Sequence, residues 1–314
     1  MIRTTVIVLL ATAAAMFAAP VHAKEGKTAM ETETKATPAP TRSGHIEING
    51  VNYYYEIRGK GEPLLLLHGG LGLIDMFGPV LPALANAREV IGVDLQGHGR
   101  TALGERPMSV EALGDDMAAL VKALGYNQVD VLGYSFGGMV AFRMAAQRPE
   151  SVRRLVIASA PFARDGFYPE LLEAQAHVGE AMAEMMKNTP MFQSYAAVAP
   201  KVEDFPKLLN AMGALMAKPY DWSAEARSLK MPVMLVYGDS DMFRPEHIIQ
   251  FYQLLGGGLK DAGWMRETMP RNRLAILPDL THYEMFAAPV LAQTVLPFLN
   301  GQSGAKSWAE QVAK

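Results

Sequence analysis

A serine between two glycines is the feature of this sequence that points most directly to chemistry. Residues 133–137 read Gly-Tyr-Ser-Phe-Gly, with Ser135 at the centre. The apolar run QVDVL precedes them and the helical pattern FGGMVAFRMAAQ follows, so we expect a strand, a sharp turn and a helix. Side chains beside such a turn would clash, and the serine would protrude at a helix N-terminus, where developing negative charge is stabilised. The pattern predicts a nucleophile; the alternative, a phosphate-binding turn, requires more glycines or a lysine.

A serine becomes an effective nucleophile when a nearby base removes its proton. Among the seven histidines, His282 is the strongest candidate, because it follows the last apolar strand pattern in LPDLTHYEMF. A loop there can turn back over the end of a sheet, and serine before histidine is the expected chain order. The alternative is a loop histidine without a role. We expect His68 and His98, in loops at the same edge, to hold those loops by hydrogen bonds.

A carboxylate must orient the imidazole and stabilise its charged form. Asp239 and Asp241 both follow the apolar segment MPVMLVYG. We favour Asp241, because the aspartate nearer the strand more often serves the turn itself, and Asp239 is the alternative. The order Ser135, Asp241, His282 is the one expected for this sheet topology.

Attack by a serine on a carbonyl group creates an oxyanion, which needs backbone N–H donors already in place. We expect one donor at Phe136, directly after the serine, and the other at Gly70 in HGGLG (68–72), with Leu71 as the next choice. Glycines there let the backbone approach a substrate closely. The alternative is that HGGLG is only a flexible turn. Leu71 and Tyr134 are also expected to contact the substrate.

These residues require a scaffold of alternating strands and helices. HIEING and VNYYYEIRG predict an opening hairpin with Asn49-Gly50 as its turn. Short apolar runs then recur in PLLLLHGG, EVIGVDL, QVDVLGYS, VRRLVIAS, MPVMLVYGD and RLAILP, with helical patterns between them. This alternation predicts an α/β fold with a mostly parallel, doubly wound sheet over residues 45–160 and 223–300.

Residues 161–222 interrupt the alternation with helical segments and no clear strand pattern. We therefore expect an inserted helical cap over the sheet edge where ligands bind. Methionines crowd this segment, namely Met182, Met185, Met186, Met191, Met212 and Met216. The commoner reading is that they pack the cap helices together. The alternative is that some of them form an apolar wall of the cleft, together with Tyr134 and Phe136.

The chain begins with the pattern of an export signal. Arg3 precedes an uncharged apolar stretch at 6–19, and Val-His-Ala at 21–23 has small residues where a signal peptidase cleaves. We predict a signal peptide over residues 1–23, no stable membrane span after its cleavage, and a periplasmic or secreted protein. An uncleaved membrane anchor is the alternative. Residues 24–44 predict a disordered linker, and residues 301–314 a C-terminal tail.

Composition excludes several other classes of function. The chain has 314 residues, of which 50% are hydrophobic and 19% charged, with a formal net charge of −3. This balance provides no basic surface for nucleic acid. The absence of cysteine excludes disulfides, thiolate zinc sites, iron–sulfur clusters, a cysteine nucleophile and a bacterial lipoprotein anchor. We expect no cofactor and no metal, and the sequence leaves the oligomeric state open.

Five motifs in this order resemble those of the α/β-hydrolase fold enzymes. They are HGG at 68–70, DLQGHG at 94–99, GYSFGG at 133–138, GDSD at 238–241 and TH at 281–282. The resemblance covers residues 45–300 and implies a serine hydrolase without metal or cofactor. It also implies a structural role for Asp94, His98 and Arg100.

Three branches of that family differ from this sequence at the turn that carries the serine. Haloalkane dehalogenases and epoxide hydrolases have an aspartate at that position, where this chain has Ser135. HGGLG resembles the proline iminopeptidases, but GYSFGG departs from their usual GGSWG. The resemblance therefore favours neither a dehalogenase, nor an epoxide hydrolase, nor an aminopeptidase.

The expected function is hydrolysis of a small or medium carboxylic ester through an acyl-enzyme. The same residues would also serve a lactonase, a carbon–carbon bond hydrolase or a proline-iminopeptidase-like peptidase. A different class is a hydrolase fold that binds a ligand without catalysis. Turnover of an activated ester that depends on Ser135 separates the enzyme from the binding protein.

Overall fold

The centre of the molecule is an eight-stranded sheet with the strand order β1-β2-β4-β3-β5-β6-β7-β8. The structure is a computed structural model that describes residues 38–302 and 305–312. The predicted signal peptide at 1–23, and most of the predicted linker, lie outside the described residues. The strands are β1 (Arg42–Ile48), β2 (Val51–Arg58), β3 (Pro63–Leu67), β4 (Glu89–Val93), β5 (Val129–Tyr134), β6 (Val152–Ala158), β7 (Val233–Ser240) and β8 (Arg273–Thr281).

Strands β3 to β8 run parallel to one another, and within the opening hairpin β2 runs antiparallel to them. The hairpin pairs β1 with β2, and β2 then lies antiparallel to β4. Asn49 and Gly50 form its turn with φ angles of 49° and 81°, the left-handed conformation that a two-residue hairpin turn requires. The predicted α/β fold with a mostly parallel sheet is confirmed.

The folded chain begins slightly earlier than the sequence predicts. Strand β1 starts at Arg42, within the segment 24–44 that was expected to be a disordered linker. Main-chain pairing explains the difference, because Arg42 lies opposite Ile57 and Gly44 opposite Tyr55 in the antiparallel ladder. This pairing orders a segment that has few side chains to bury.

Helices cover both faces of the sheet. They are α1 (Val80–Ala85), α2 (Val110–Ala123), α3 (Phe136–Gln147), α4 (Pro169–Gln175), α5 (Ala183–Met186), α6 (Pro190–Val198), α7 (Phe205–Met216), α8 (Ser223–Ser228), α9 (Pro245–Leu254), α10 (Pro289–Leu299) and α11 (Trp308–Val312). Helix α2 is capped at its N-terminus by Ser109, whose side chain accepts a hydrogen bond from the Ala112 N–H. No described helix combines the length and the apolar character needed to cross a membrane.

Strand β3 shows why its sequence is continuously apolar. Leu65 and Leu67 belong to one hydrophobic core, while Leu64 and Leu66 belong to a second. Because successive side chains of a strand point to opposite faces, a strand that is covered on both faces needs apolar residues at every position. Continuous burial of this kind fixes the strands that carry the functional loops.

The inserted segment between β6 and β7 contains helices α4 to α7 and returns to the sheet close to where it left. Ala163 pairs with Asp221, and Phe167 pairs with Phe243, in isolated antiparallel bridges. The Trp222 N–H donates to the Phe162 carbonyl over 2.9 Å. We call these paired segments the neck of the cap, because they join the insertion to the sheet at one place.

Candidate active site

Ser135 occupies the sharp turn between β5 and α3 in a strained backbone conformation. Its φ is 52° and its ψ is −117°, which costs a residue other than glycine about 1–3 kcal/mol. The Ser135 N–H donates a hydrogen bond to the Ala158 carbonyl on β6 over 2.9 Å, and this bond holds the turn in place. The conformation leaves the side chain partly exposed at the end of a strand that is otherwise fully buried.

The glycines around Ser135 are required by close approaches of the backbone. A Cβ atom on Gly133 would lie 2.1 Å from the Gly137 carbonyl oxygen, and one on Gly137 would lie 2.4 Å from the Leu67 carbonyl oxygen. Neither distance is possible for real atoms, and both obstacles are backbone atoms that cannot move aside. Helix α3 therefore begins in contact with the end of β3, which places the HGGLG loop next to the serine.

The structure brings together the three side chains that the sequence singled out. The Ser135 Oγ lies 3.0 Å from the His282 Nε2, and the His282 Nδ1 lies 3.0 Å from the Asp241 Oδ1. Their positions in the chain are far apart, but each follows the carboxyl end of a parallel strand, and those ends meet at one edge of the sheet. The two distances form an unbroken hydrogen-bonded line from hydroxyl to carboxylate.

The Asp241 carboxylate is buried and has donors on both oxygens. Oδ1 accepts from the Met242 N–H over 2.8 Å, and Oδ2 accepts from the Ser159 hydroxyl over 2.6 Å. Burial alone raises the pKa of the Asp241 carboxyl, but the hydrogen bond and charge of His282, with the Ser159 and Met242 donors, lower that pKa below its ordinary value. Asp241 is therefore a stable carboxylate that can balance a charged imidazole.

Asp239, the alternative acid, lies at the end of β7 with its side chain exposed to solvent. No hydrogen bond or ion pair joins it to His282 among the described residues. The geometry distinguishes the two aspartates, because only Asp241 reaches the imidazole.

The two backbone N–H groups expected to bind an oxyanion lie on adjacent segments. A Cβ atom on Gly70 would be 3.8 Å from the Phe136 Cβ, so the loop and the start of α3 are in contact. Within the described part of the chain, neither the Gly70 nor the Phe136 N–H donates a backbone hydrogen bond. Leu71 follows in the left-handed region with φ 57° and is partly exposed. Both N–H groups are free to bind an incoming atom.

Tyr134 does not have the placement expected of a substrate contact. Its side chain is 4% exposed and packs in the core on the face of the sheet opposite helix α3. Its hydroxyl donates to the His282 carbonyl over 2.5 Å. The expectation that the Tyr134 side chain points into the cleft was wrong. The strained φ of Ser135 turns the serine toward the cleft, whereas Tyr134 still follows the alternation of strand β5 and points into the core. Tyr134 instead ties the nucleophile turn to the histidine loop.

His68 and His98 hold loops, as the sequence predicts. The His68 Nε2 accepts from the Leu95 N–H over 3.0 Å, and the His98 Nδ1 lies 2.9 Å from the Gln96 carbonyl oxygen. Burial lowers the pKa of His68 to about 4 and that of His98 to about 3, so both rings stay neutral near pH 7. Neither ring has a hydrogen bond to Ser135.

The DLQGHG segment supports the same edge of the sheet. Asp94 is fully buried and accepts from the N–H groups of Ile74 and Arg100, each over 2.9 Å. A Cβ atom on Gly99 would lie 2.3 Å from the Asp94 carboxylate, which explains the glycine. Asp94 and Arg100 thus join the loop after β3 to the loop after β4, as the resemblance implied.

One of the cap methionines reaches the loop that would hold an oxyanion. A Cβ atom on Gly70 would lie 3.0 Å from the Met212 Cε, so this methyl group rests directly above the loop. Met212 is 5% exposed, whereas Met185 on the outside of the cap is 55% exposed. Met186 is also buried. The cap methionines therefore differ in exposure, and Met212 has a contact with the HGGLG loop.

Comparisons with known proteins agree with this geometry. The sequence model described as alpha/beta hydrolase fold matches residues 62–184. The pimeloyl-[acyl-carrier protein] methyl ester esterase of Neisseria meningitidis serogroup B is 30% identical over 250 residues, covering 72% of this chain and 90% of that enzyme. The chain therefore belongs to the alpha/beta hydrolase family, and it is a hydrolase.

Solved structures show the same fold at lower sequence identity. A carboxylesterase from Bacillus subtilis superposes with a TM-score of 0.65 at 19% identity, covering 85% of this chain and 94% of that one. An enol-lactonase from Burkholderia xenovorans superposes with a TM-score of 0.63 at 20% identity, covering 82% and 100%. The overall fold of this chain thus recurs in proteins described as a carboxylesterase and an enol-lactonase.

The geometry predicts unequal effects for the two aspartates. Asp241→Asn should lower the kcat/KM for an activated ester by about 10⁴-fold, because an amide donor opposite the Nδ1 favours the wrong imidazole tautomer. Asp239→Asn, the matched control two positions away, should change it by less than about threefold, since exposed substitutions rarely disturb a buried site. Steady-state kinetics of both variants, with circular dichroism as the folding control, measure the difference. A reversed ranking would move the acid to Asp239.

Proposed function

We propose that the protein is a serine hydrolase that cleaves a small or medium carboxylic ester through an acyl-enzyme intermediate. The single observation that supports this most strongly is the line of two 3.0 Å contacts from the Ser135 Oγ through His282 to Asp241. The relatives named as esterases support the same substrate class. Among the described residues, no group of three His, Cys, Asp or Glu side chains is arranged to bind a metal ion.

In this mechanism the His282 Nε2 accepts the proton of the Ser135 hydroxyl while the Oγ attacks the carbonyl carbon. The carbonyl oxygen becomes an oxyanion, and the N–H groups of Gly70 and Phe136 donate to it. Asp241 balances the positive imidazolium, and it keeps its own negative charge throughout. The bond to the leaving oxygen then breaks, and His282 returns its proton to that oxygen, which releases the alcohol.

A water molecule completes the cycle. It attacks the acyl carbon as His282 takes its proton, and the same two N–H groups stabilise the second oxyanion. The bond between the acyl carbon and the Ser135 Oγ breaks, the proton passes to that oxygen, and the carboxylic acid leaves. In a lactone the leaving oxygen stays attached to the product, so the same steps open a ring. A panel of nitrophenyl esters of graded length, lactones and an aminoacyl anilide distinguishes these substrates.

The nucleophile assignment is tested with Ser135→Ala. Turnover of nitrophenyl acetate should fall by about 10⁴-fold or more, because the members of a triad act as a unit. The change removes one small, partly exposed hydroxyl, so the thermal unfolding temperature should stay near that of the wild type. A folded Ser135→Ala protein that keeps most of its activity would exclude a serine mechanism. Retained binding of a ligand without turnover in the wild type would favour the non-catalytic hydrolase fold.

We further propose that Met212 forms part of an apolar wall for the acyl group. Its methyl group contacts Gly70, whose N–H would bind the oxyanion. The first methylene groups of an acyl chain bonded to the carbonyl carbon would therefore contact the Met212 side chain. Each methylene that moves from water to such a wall gains about 0.8 kcal/mol. Affinity should therefore rise with chain length until the wall ends.

Met212→Gln tests this wall, since glutamine has a similar length and a polar end. The KM for hexanoate esters should rise several-fold, while that for acetate, which reaches only the triad and the N–H donors, should change little. Met185→Gln is the matched control, because Met185 is 55% exposed on the same cap. If folded Met212→Gln keeps the chain-length profile of the wild type, Met212 is only a packing residue.

We also propose that the protein is exported to the periplasm or beyond. The support is the sequence at 1–23, where Arg3, the apolar stretch 6–19 and the small residues at 21–23 have the order of a cleavable signal. Expression of the full chain in a Gram-negative host and N-terminal sequencing of the periplasmic fraction test it. The mature protein should begin at Lys24. Recovery of uncleaved protein in the membrane fraction would favour the anchor instead.

A further inference from the structure

Ser159 is a buried serine that directly follows β6 and has no part in the mechanism described above. It is fully buried, and its φ of 50° lies in the left-handed region. Its N–H donates to the Val236 carbonyl on β7 over 2.8 Å, which fixes this conformation. A backbone of this kind favours glycine. Compared with glycine, serine at this position therefore adds a hydroxyl group at the cost of backbone strain.

That hydroxyl is aimed at the Asp241 carboxylate. The Ser159 Oγ donates to Oδ2 over 2.6 Å, and the other donor to Oδ2, the Gly238 N–H, is farther away at 3.2 Å. Oδ1 faces the His282 Nδ1 and accepts from the Met242 N–H. With Ser159 in place, each oxygen has two partners, so rotation of the carboxylate breaks hydrogen bonds on both sides.

We propose that Ser159 is a positioning residue that fixes the Asp241 carboxylate so that Oδ1 remains in line with the His282 Nδ1. The inference rests on the proposed serine mechanism, because it concerns the orientation of the acid within that triad. Ser159 acts only through Asp241, since neither its hydroxyl nor its N–H has a hydrogen bond to His282 or Ser135.

The surroundings of Asp241 make the loss of this donor measurable. Besides His282, the titratable groups that interact electrostatically with the carboxylate are Tyr134, Tyr237 and Tyr283. Burial raises the pKa of all three phenols, so they remain neutral in the range where a triad works. A carboxylate that loses one donor is a stronger base. The Asp241–His282 pair then takes up its proton at a higher pH.

The experiment compares Ser159→Gly with Ser159→Ala, two variants that both remove the hydroxyl but differ in backbone strain. Glycine is relaxed at a φ of 50°, whereas alanine keeps the strain. Both variants should lower kcat by about 10- to 100-fold, the range expected for one hydrogen bond to a charged group, with KM nearly unchanged. Ser159→Gly should unfold at a higher temperature than Ser159→Ala despite the equal loss of kcat.

A merely structural serine gives a different pattern. In that case the loss of activity follows the loss of stability, and Ser159→Gly is more active than Ser159→Ala. That ordering, or wild-type kcat in both folded variants, would overturn the proposal. In an Asp241→Asn background, Ser159→Gly should have little further effect on kcat, because the two residues act through one hydrogen bond.

A second readout does not depend on ester turnover. The proton between the His282 Nδ1 and the Asp241 Oδ1 gives a downfield ¹H resonance that can be titrated by NMR. Its pH midpoint should move upward in Ser159→Gly, and an unchanged midpoint would contradict the proposal. Failure of the wild type to hydrolyse any ester would instead refute the proposed function, while the NMR titration still decides the role of Ser159.

Discussion

The close contact between the start of α3 and the end of β3 is the constraint on which the rest of the site depends. Gly137 lies so near the Leu67 backbone that no side chain fits between them. The chain can leave β5 and enter α3 in this space only if Ser135 accepts a φ of 52°. Strand β5 is buried throughout and its neighbour β3 is buried from Leu64 to Leu67, so both resist relaxation of that strain. The hydroxyl is therefore held in one place before any substrate arrives.

The parallel sheet then converts distant sequence positions into neighbours. Loops that leave β3, β5, β6, β7 and β8 emerge at a common edge, and they carry the HGGLG segment, Ser135, Ser159, Asp241 and His282. Besides the contacts within the triad, two hydrogen bonds link these loops to the ends of other strands: Tyr134 to the His282 carbonyl, and Ser159 to Asp241. The loops of His282 and Asp241 are thus each braced by a side chain from the end of another strand, which resists their motion.

The sequence predicts those residues whose reactive side chain and whose position after a strand can both be recognised from the order of the amino acids. Ser135, Asp241 and His282 have reactive side chains and follow apolar runs, so their meeting at one sheet edge follows from topology alone. Tyr134 was misjudged because the direction of its side chain depends on where the strand alternation stops. Ser159 was overlooked, although it ends the run VRRLVIAS at the same edge. Its hydrogen bond to Asp241 depends on a positive φ, and a serine in the sequence does not indicate that conformation. The start of β1 depends on main-chain pairing, which no side-chain pattern indicates. The contact of Met212 with Gly70 depends on how the cap helices pack on the sheet, which the sequence does not indicate either.

The neck of the cap has a consequence for how enzymes of this architecture diversify. The insertion leaves and rejoins the sheet at segments that pair with each other, from Ala163 to Asp221. An element attached at two adjacent points can be lengthened, shortened or exchanged without moving the strands between which it is inserted. The triad and the N–H donors lie on the sheet side of that attachment, while Met212 lies on the other. The proposed acyl wall and the triad therefore lie in separable pieces of one chain, and exchange of the insertion at the neck would replace the wall and keep the triad.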